Sequence, residues 1–196
     1  MSSIALAVED DLSAAVGSRI VEVTRPDYSV SNCYVCSGSG LMKRRLAAFN
    51  NAAQAIPYLL IADLDQTECP PALLSQWFRR IARRPQLLFR VAVREIEAWL
   101  MADRTAFARF LGVAVNRVPA YPEQLIDAKA ELIRLARTSP RRQVRRALIP
   151  IGNARQGPEH NDALVEFVNS YWRMADAAAN CPSLQRAVDA LARLPV

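Results

Sequence analysis

Several acidic side chains in this sequence stand where apolar runs stop. Glu9 closes the run Ser3–Val8, Asp63 and Asp65 follow Tyr58–Ala62, and Arg94 and Glu95 follow Gln86–Val93. In an open parallel sheet the carboxyl ends of the strands share one edge, where loops converge and ligands bind. Carboxylates gathered there repel one another unless a cation neutralises them. Mg2+ or Mn2+ suits the position, because a hard ion takes oxygen ligands and leaves sites for a substrate phosphate. Glu9, Asp63 and Asp65 are therefore expected as metal ligands and catalytic carboxylates, with Arg94 and Glu95 beside them. The competing reading is local: Asp63 or Asp65 caps a helix or forms an Asx-turn. Glu95 and Glu97 lie where a strand passes into a helix, a place the helix dipole favours for acids on its own. Arg94 and Glu95, nearest the strand end, are preferred to Glu97.

Phosphate is the substrate group such a site would take, and the charge distribution agrees. Residues 1–70 carry five bases and eight acids, whereas residues 71–155 carry seventeen bases and six acids. Arginine dominates this block, and its planar fork matches phosphate oxygens. Lys43, Arg79, Arg83, Arg141 and Arg145 are the expected phosphate contacts. Paired arginines at helical spacing also form ordinary solvated faces.

The elements that must position these groups alternate. A strand over Ser3–Val8 is followed by a helix from Leu12 to about Ser18, a strand near Arg19–Val23, and a long loop over 25–40 with a short strand at Cys33–Cys36. A helix through 42–49, the buried strand 58–62, a helix from Pro70 to about Ala82 and the strand 86–93 complete a β/α pattern. From Glu95 onward the periodic segments are helical: 95–101, 105–111, 123–137, 141–148, 163–171 and 183–194. The fold class is α/β, a Rossmann-like parallel sheet of about four strands flanked by helices. Residues 1–103 form the core and residues 104–196 a helical extension packed on it.

Composition closes off other classes. With 52% hydrophobic residues in 196 the chain can bury a substantial core. The start MSSIALAVED has no basic leader character, and no apolar run reaches the roughly 20 residues of a membrane helix, so a cytoplasmic protein without membrane association is expected. Cys33, Cys36, Cys69 and Cys181 read as reduced thiols, and their spacing with the single histidine, His160, does not suit zinc. His160 reads as a loop residue without a catalytic role. Trp77, Trp99 and Trp172 read as core anchors.

Val8-Glu9-Asp10, Ile61–Asp65, the segment Val91–Leu100 followed by Ala102-Asp103, Pro122-Glu123 with Lys129, Gly157-Pro158 and Cys181–Leu184 together resemble the bacterial domain-of-unknown-function family 4276. The resemblance covers nearly the whole chain, and residues 90–103 are its most specific part. It implies a Toprim-like fold, with Glu9, Asp63 and Asp65 as the metal and catalytic carboxylates. It further implies a Mg/Mn-dependent phosphodiesterase, a nuclease acting on nucleic acid beside an ATPase partner in phage defence against foreign DNA. Two positions depart from the Toprim pattern: Asp10 stands where glycine is usual, and Ala14 where a further glutamate is expected. The alternative is a non-catalytic, Toprim-like nucleic-acid-binding or regulatory subunit. A third reading takes Tyr58–Thr67 as the strand and Asp-x-Asp-x-Thr of a haloacid-dehalogenase-type phosphatase, with Asp63 as nucleophile and Asp65 as acid. That family requires a later acidic pair and a downstream lysine, and Lys129 is the sole lysine downstream.

Overall fold

The computed structural model describes residues 1–195. Four strands, β1 (Ser2–Val8), β2 (Tyr28–Val35), β3 (Tyr58–Asp63) and β4 (Leu87–Ala92), form one sheet in the order β2-β1-β3-β4, with every pair parallel. Between them run α1 (Asp11–Thr24), α2 (Ser39–Ala52) and α3 (Pro70–Phe78). The expected α/β class and four-strand parallel sheet are both present.

β1 from Ile4 to Val8 and β3 from Tyr58 to Ala62 are continuously apolar and buried because both faces of the sheet are covered. Ile4, Leu6, Val8, Leu59 and Ile61 join the core on the α1 side, whereas Ala5, Ala7, Tyr58, Leu60 and Ala62 join the core on the opposite side. Alternation along the strand thus sorts one continuous hydrophobic run into two layers.

The strand expected near Arg19–Val23 is instead the end of α1, and the 25–40 loop holds the eight-residue β2. Leu12, Val16 and Ile20 repeat every four residues and are all buried, so their helical stripe prevails over the β-branched character of Ile20, Val21 and Val23. β2 is an edge strand with mostly exposed side chains, which removes the apolar alternation by which strands are recognised. The helix begun at Pro70 stops at Phe78, short of Ala82.

After β4 come α4 (Ile96–Ala102), α5 (Arg104–Leu111), α6 (Ala128–Arg137), α7 (Arg142–Leu148), α8 (His160–Ser170), α9 (Met174–Ala179) and α10 (Pro182–Ala192). The single helix expected over 123–137 is a 3-10 turn at Pro122–Gln124 and then α6, whose start Asp127 caps by accepting the Ala130 N–H at 2.6 Å. α9 was not anticipated, and α8 begins at His160 rather than at 163. One apolar core runs from Ile4 of β1 through α1 into the helical half as far as Leu194. Trp99 sits in it, fully buried, its indole N–H donating to Ser183 Oγ at 2.7 Å. Among the described residues no helix is long and apolar enough to cross a membrane.

Candidate active site

Glu9 leaves the end of β1 and reaches across to the end of β3, where its Oε1 accepts the Asp63 N–H at 3.1 Å. The turn from β2 into α2 folds over the same place. Cys36 N–H donates to Val8 O at 2.9 Å and Gly38 N–H to Glu9 O at 3.1 Å. Gly38 makes that turn with φ of 109°, a backbone state open to glycine at little cost. The N-terminus of α2 is thereby brought to Glu9, and Lys43 follows one turn later. A hollow of about 190 Å3 lies between, lined by Ser39, Gly40, Lys43, Asp63, Asp65 and Thr67 among others.

The loop after β3 is shaped by Arg94. Asp65 adopts a left-handed backbone with φ of 49°. Its N–H donates to Arg94 O at 2.9 Å, and Arg94 Nη1 returns to Asp65 O at 3.1 Å and Thr67 O at 2.8 Å. Arg94 is therefore placed as a splint for the Asp65 loop. Glu95 points elsewhere, its Oε2 accepting the Lys129 N–H at 2.8 Å and so serving the first turn of α6.

Glu97 makes the contacts that sequence reasoning ranked last. It is 1% exposed; its Oε1 lies 3.3 Å from Lys129 Nζ and 3.4 Å from His160 Nε2, and its Oε2 is buried without a hydrogen-bond partner. His160, read from sequence as an isolated loop residue, opens α8 and is buried against this carboxylate. Gly157 permits that placement. The loop passes so close to α7 that a Cβ at Gly157 would sit 2.1 Å from Ala147 O. A signal for Glu97 was present: Ile96–Ala102 is otherwise apolar, so a charge inside it must be buried and partnered. Nothing in the sequence connected it to His160, 63 residues away.

The electrostatics follow from this layering. Burial pushes the Glu9 carboxyl up from an ordinary 4.5 to about 7; the Asp63 N–H opposes the rise and the charges of Asp65 and Asp10 add to it. Burial holds the Asp63 carboxyl well above its usual range, and Glu97, Glu9, Asp65 and Asp10 all push the same way. At Glu97 burial also disfavours the anion, but the His160 hydrogen bond and the Lys129 charge outweigh it, and the carboxyl is held below its ordinary value. Lys129 is likewise kept charged against burial by Glu97 and Glu95. An ionised Glu97 thus lies beside Asp63, a carboxyl whose own negative charge the site disfavours.

Among the described residues no three histidine, cysteine, aspartate or glutamate side chains are already drawn into a metal cage. The donors nonetheless have the chemistry a hard divalent cation takes. They are carboxylate oxygens, Glu97 Oε2 beside Asp63 lacks a hydrogen-bond partner, the charges acting on Glu9 are those of other carboxylates, and Asp63 shares Lys129 with Glu95 and Glu97.

The remaining predicted residues lie apart from the carboxylates. Arg79 and Arg83 belong to the segment between α3 and the start of β4, and in a parallel sheet that is the edge opposite the end of β3. Arg141 lines a cleft of about 840 Å3 between α7 and α8, on the helical half. Arg145 donates through Nη1 to Ser139 O. All four cysteines are free thiols, with Cys36 and Cys181 buried. No protein-family model, no curated protein and no solved structure matches this chain.

Proposed function

We propose that the protein is a Mg2+- or Mn2+-dependent phosphodiesterase, a nuclease acting on polynucleotide. The observation that carries this reading is the meeting of Glu9, Asp63 and Asp65 at one sheet edge. Two of them are held against ionisation, and the α2 N-terminus and Lys43 lie across a hollow from them. Glu9, Asp63 and Asp65 would hold the ion, which when bound supplies an activated water and stabilises charge on phosphoryl oxygens.

The chain's own groups do the rest. The α2 N-terminus and Lys43 orient a phosphate in the hollow, through the helix dipole, first-turn backbone N–H groups that have no intrahelical partner, and one positive charge. Arg94 holds the Asp65 loop in its left-handed turn and so sets the third carboxylate. Glu97, fixed between Lys129 and His160, keeps a negative charge behind Asp63 and strengthens the demand for a cation there. The resemblance to family 4276 supports the same reading and extends it to an ATPase partner and defence against foreign DNA.

Asp63→Ala is the direct test. It should abolish Mg2+-dependent cleavage of single- and double-stranded DNA and RNA substrates while leaving the cooperative unfolding transition intact. Cleavage at the wild-type rate would overturn the assignment.

A second reading, a subunit that binds nucleic acid without cutting it, draws on α1. The Asp10 carboxylate is engaged in capping, with Ser13 N–H at 2.8 Å, and Ala14 supplies no acid one turn from Glu9. Binding of Mg2+ and DNA without turnover would select it.

A further inference from the structure

A second cluster of charge lies on the outer strand of the sheet. Arg90 is in the middle of β4, and alternation with Leu88 and Ala92 points it to the face covered by α10. α10 contributes Arg186, and Arg193 follows seven residues later, two turns along on the same side. Arg83 arrives from the segment before β4. Arg83, Arg90 and Arg186 line one hollow of about 120 Å3, with Ser183 at its wall.

The cluster has no internal countercharge. Arg90 is half-buried, and its Nε is buried without a hydrogen-bond partner. Burial lowers the Arg90 pKa and the charges of Arg83, Arg186 and Arg193 lower it further, with no carboxylate acting the other way. Among the described residues neither Arg83, Arg90 nor Arg186 takes part in a salt bridge. Guanidinium groups brought together at a partly buried site repel one another unless an anion lies between them, and a buried donor left without an acceptor is costly. The planar fork of arginine is matched best by the oxygens of a tetrahedral oxyanion.

We propose that Arg83, Arg90 and Arg186, with Arg193 adding charge, form a phosphate-binding site on the β4 edge, separate from the carboxylate site. The ligand is a phosphate group, supplied either as a free phosphate compound or as the backbone of a polynucleotide held away from the carboxylates.

The experiment uses the full chain in EDTA, so its result does not depend on whether the carboxylates bind metal or catalyse. Inorganic phosphate is titrated against wild type, Arg90→Gln and Arg186→Gln by calorimetry, at an ionic strength held constant with chloride. Arg186 is exposed, so its replacement tests the site even if Arg90→Gln folds poorly. Phosphate affinity should fall about tenfold or more in each folded variant, the loss expected for one charge-assisted contact. A labelled oligonucleotide is then titrated against the same proteins. A parallel loss identifies the ligand as nucleic-acid backbone, and unchanged oligonucleotide affinity identifies a free phosphate compound. Wild type that fails to bind phosphate, or variants that bind it as wild type does, would overturn the proposal.

Discussion

Replacing Glu9 with glutamine should stabilise the metal-free protein, and only above a definite pH. Its carboxyl moves from an ordinary 4.5 in the unfolded chain to about 7 in the folded one. Below pH 4 both states are protonated and the group contributes nothing to stability. As pH rises through 4.5 the unfolded chain releases its proton first and is increasingly favoured, and the penalty is complete once pH passes about 7. A difference of about 2.5 in pKa at 1.36 kcal/mol each gives about 3 kcal/mol. Glutamine keeps an oxygen for the Asp63 N–H and carries no charge, so Glu9→Gln escapes this penalty. Urea denaturation in EDTA should show the variant about 3 kcal/mol more stable than wild type at pH 8 and equal to it at pH 4. For a chain of this length that is a Tm difference of roughly 6–12 °C at pH 8. Mg2+ should then stabilise wild type at pH 8 more than the variant, since a ligand that binds the folded state shifts the equilibrium by mass action. A variant no more stable at pH 8, or equally stabilised at pH 4, would refute the reasoning, because it rests on a buried anion lacking a countercharge.

Two further substitutions probe the layer behind Asp63. Lys129→Met removes the cation 3.3 Å from the buried Glu97 and should cost about 2 kcal/mol at neutral pH. That is below the usual penalty for orphaning a buried charge, because the lysine side chain is 30% exposed. Adding Glu97→Gln to it should recover most of the loss, a non-additivity that a double-mutant denaturation cycle reads directly. Gly157→Ala places a Cβ 2.1 Å from Ala147 O, where backbone has to move, and should cost about 2–3 kcal/mol. The same variant should shift the NMR resonances of the His160 ring, three residues on; unchanged resonances would show that the loop does not set the histidine.

Segment by segment, the sequence alone carried what depends on local pattern. β1, β3 and β4 are short apolar runs that end in charge, and their covered faces make them legible as strands of a parallel sheet. Glu9, Asp63 and Asp65 follow from the same fact, since a residue after such a strand goes to the carboxyl edge wherever the strand lies in the order. β2 was legible only at its end, as the short strand at Cys33–Cys36, because an edge strand with exposed side chains has no apolar alternation, and the β-branched residues of α1 were misleading without the sheet on which they pack. Only the tertiary structure decided what each charge meets. Glu95 and Glu97 are two residues apart and look interchangeable, yet helical geometry sends one to the start of α6 and the other into the interior against Lys129 and His160. The arginines divide in the same way. A block that reads as uniform cationic surface is split between opposite ends of the sheet and the helical half, and Arg90, unremarked in sequence, comes to face Arg186 of α10 and Arg193 just past its end. Charge and periodicity are properties of a segment, whereas a partner 63 residues away is a property of the packed whole.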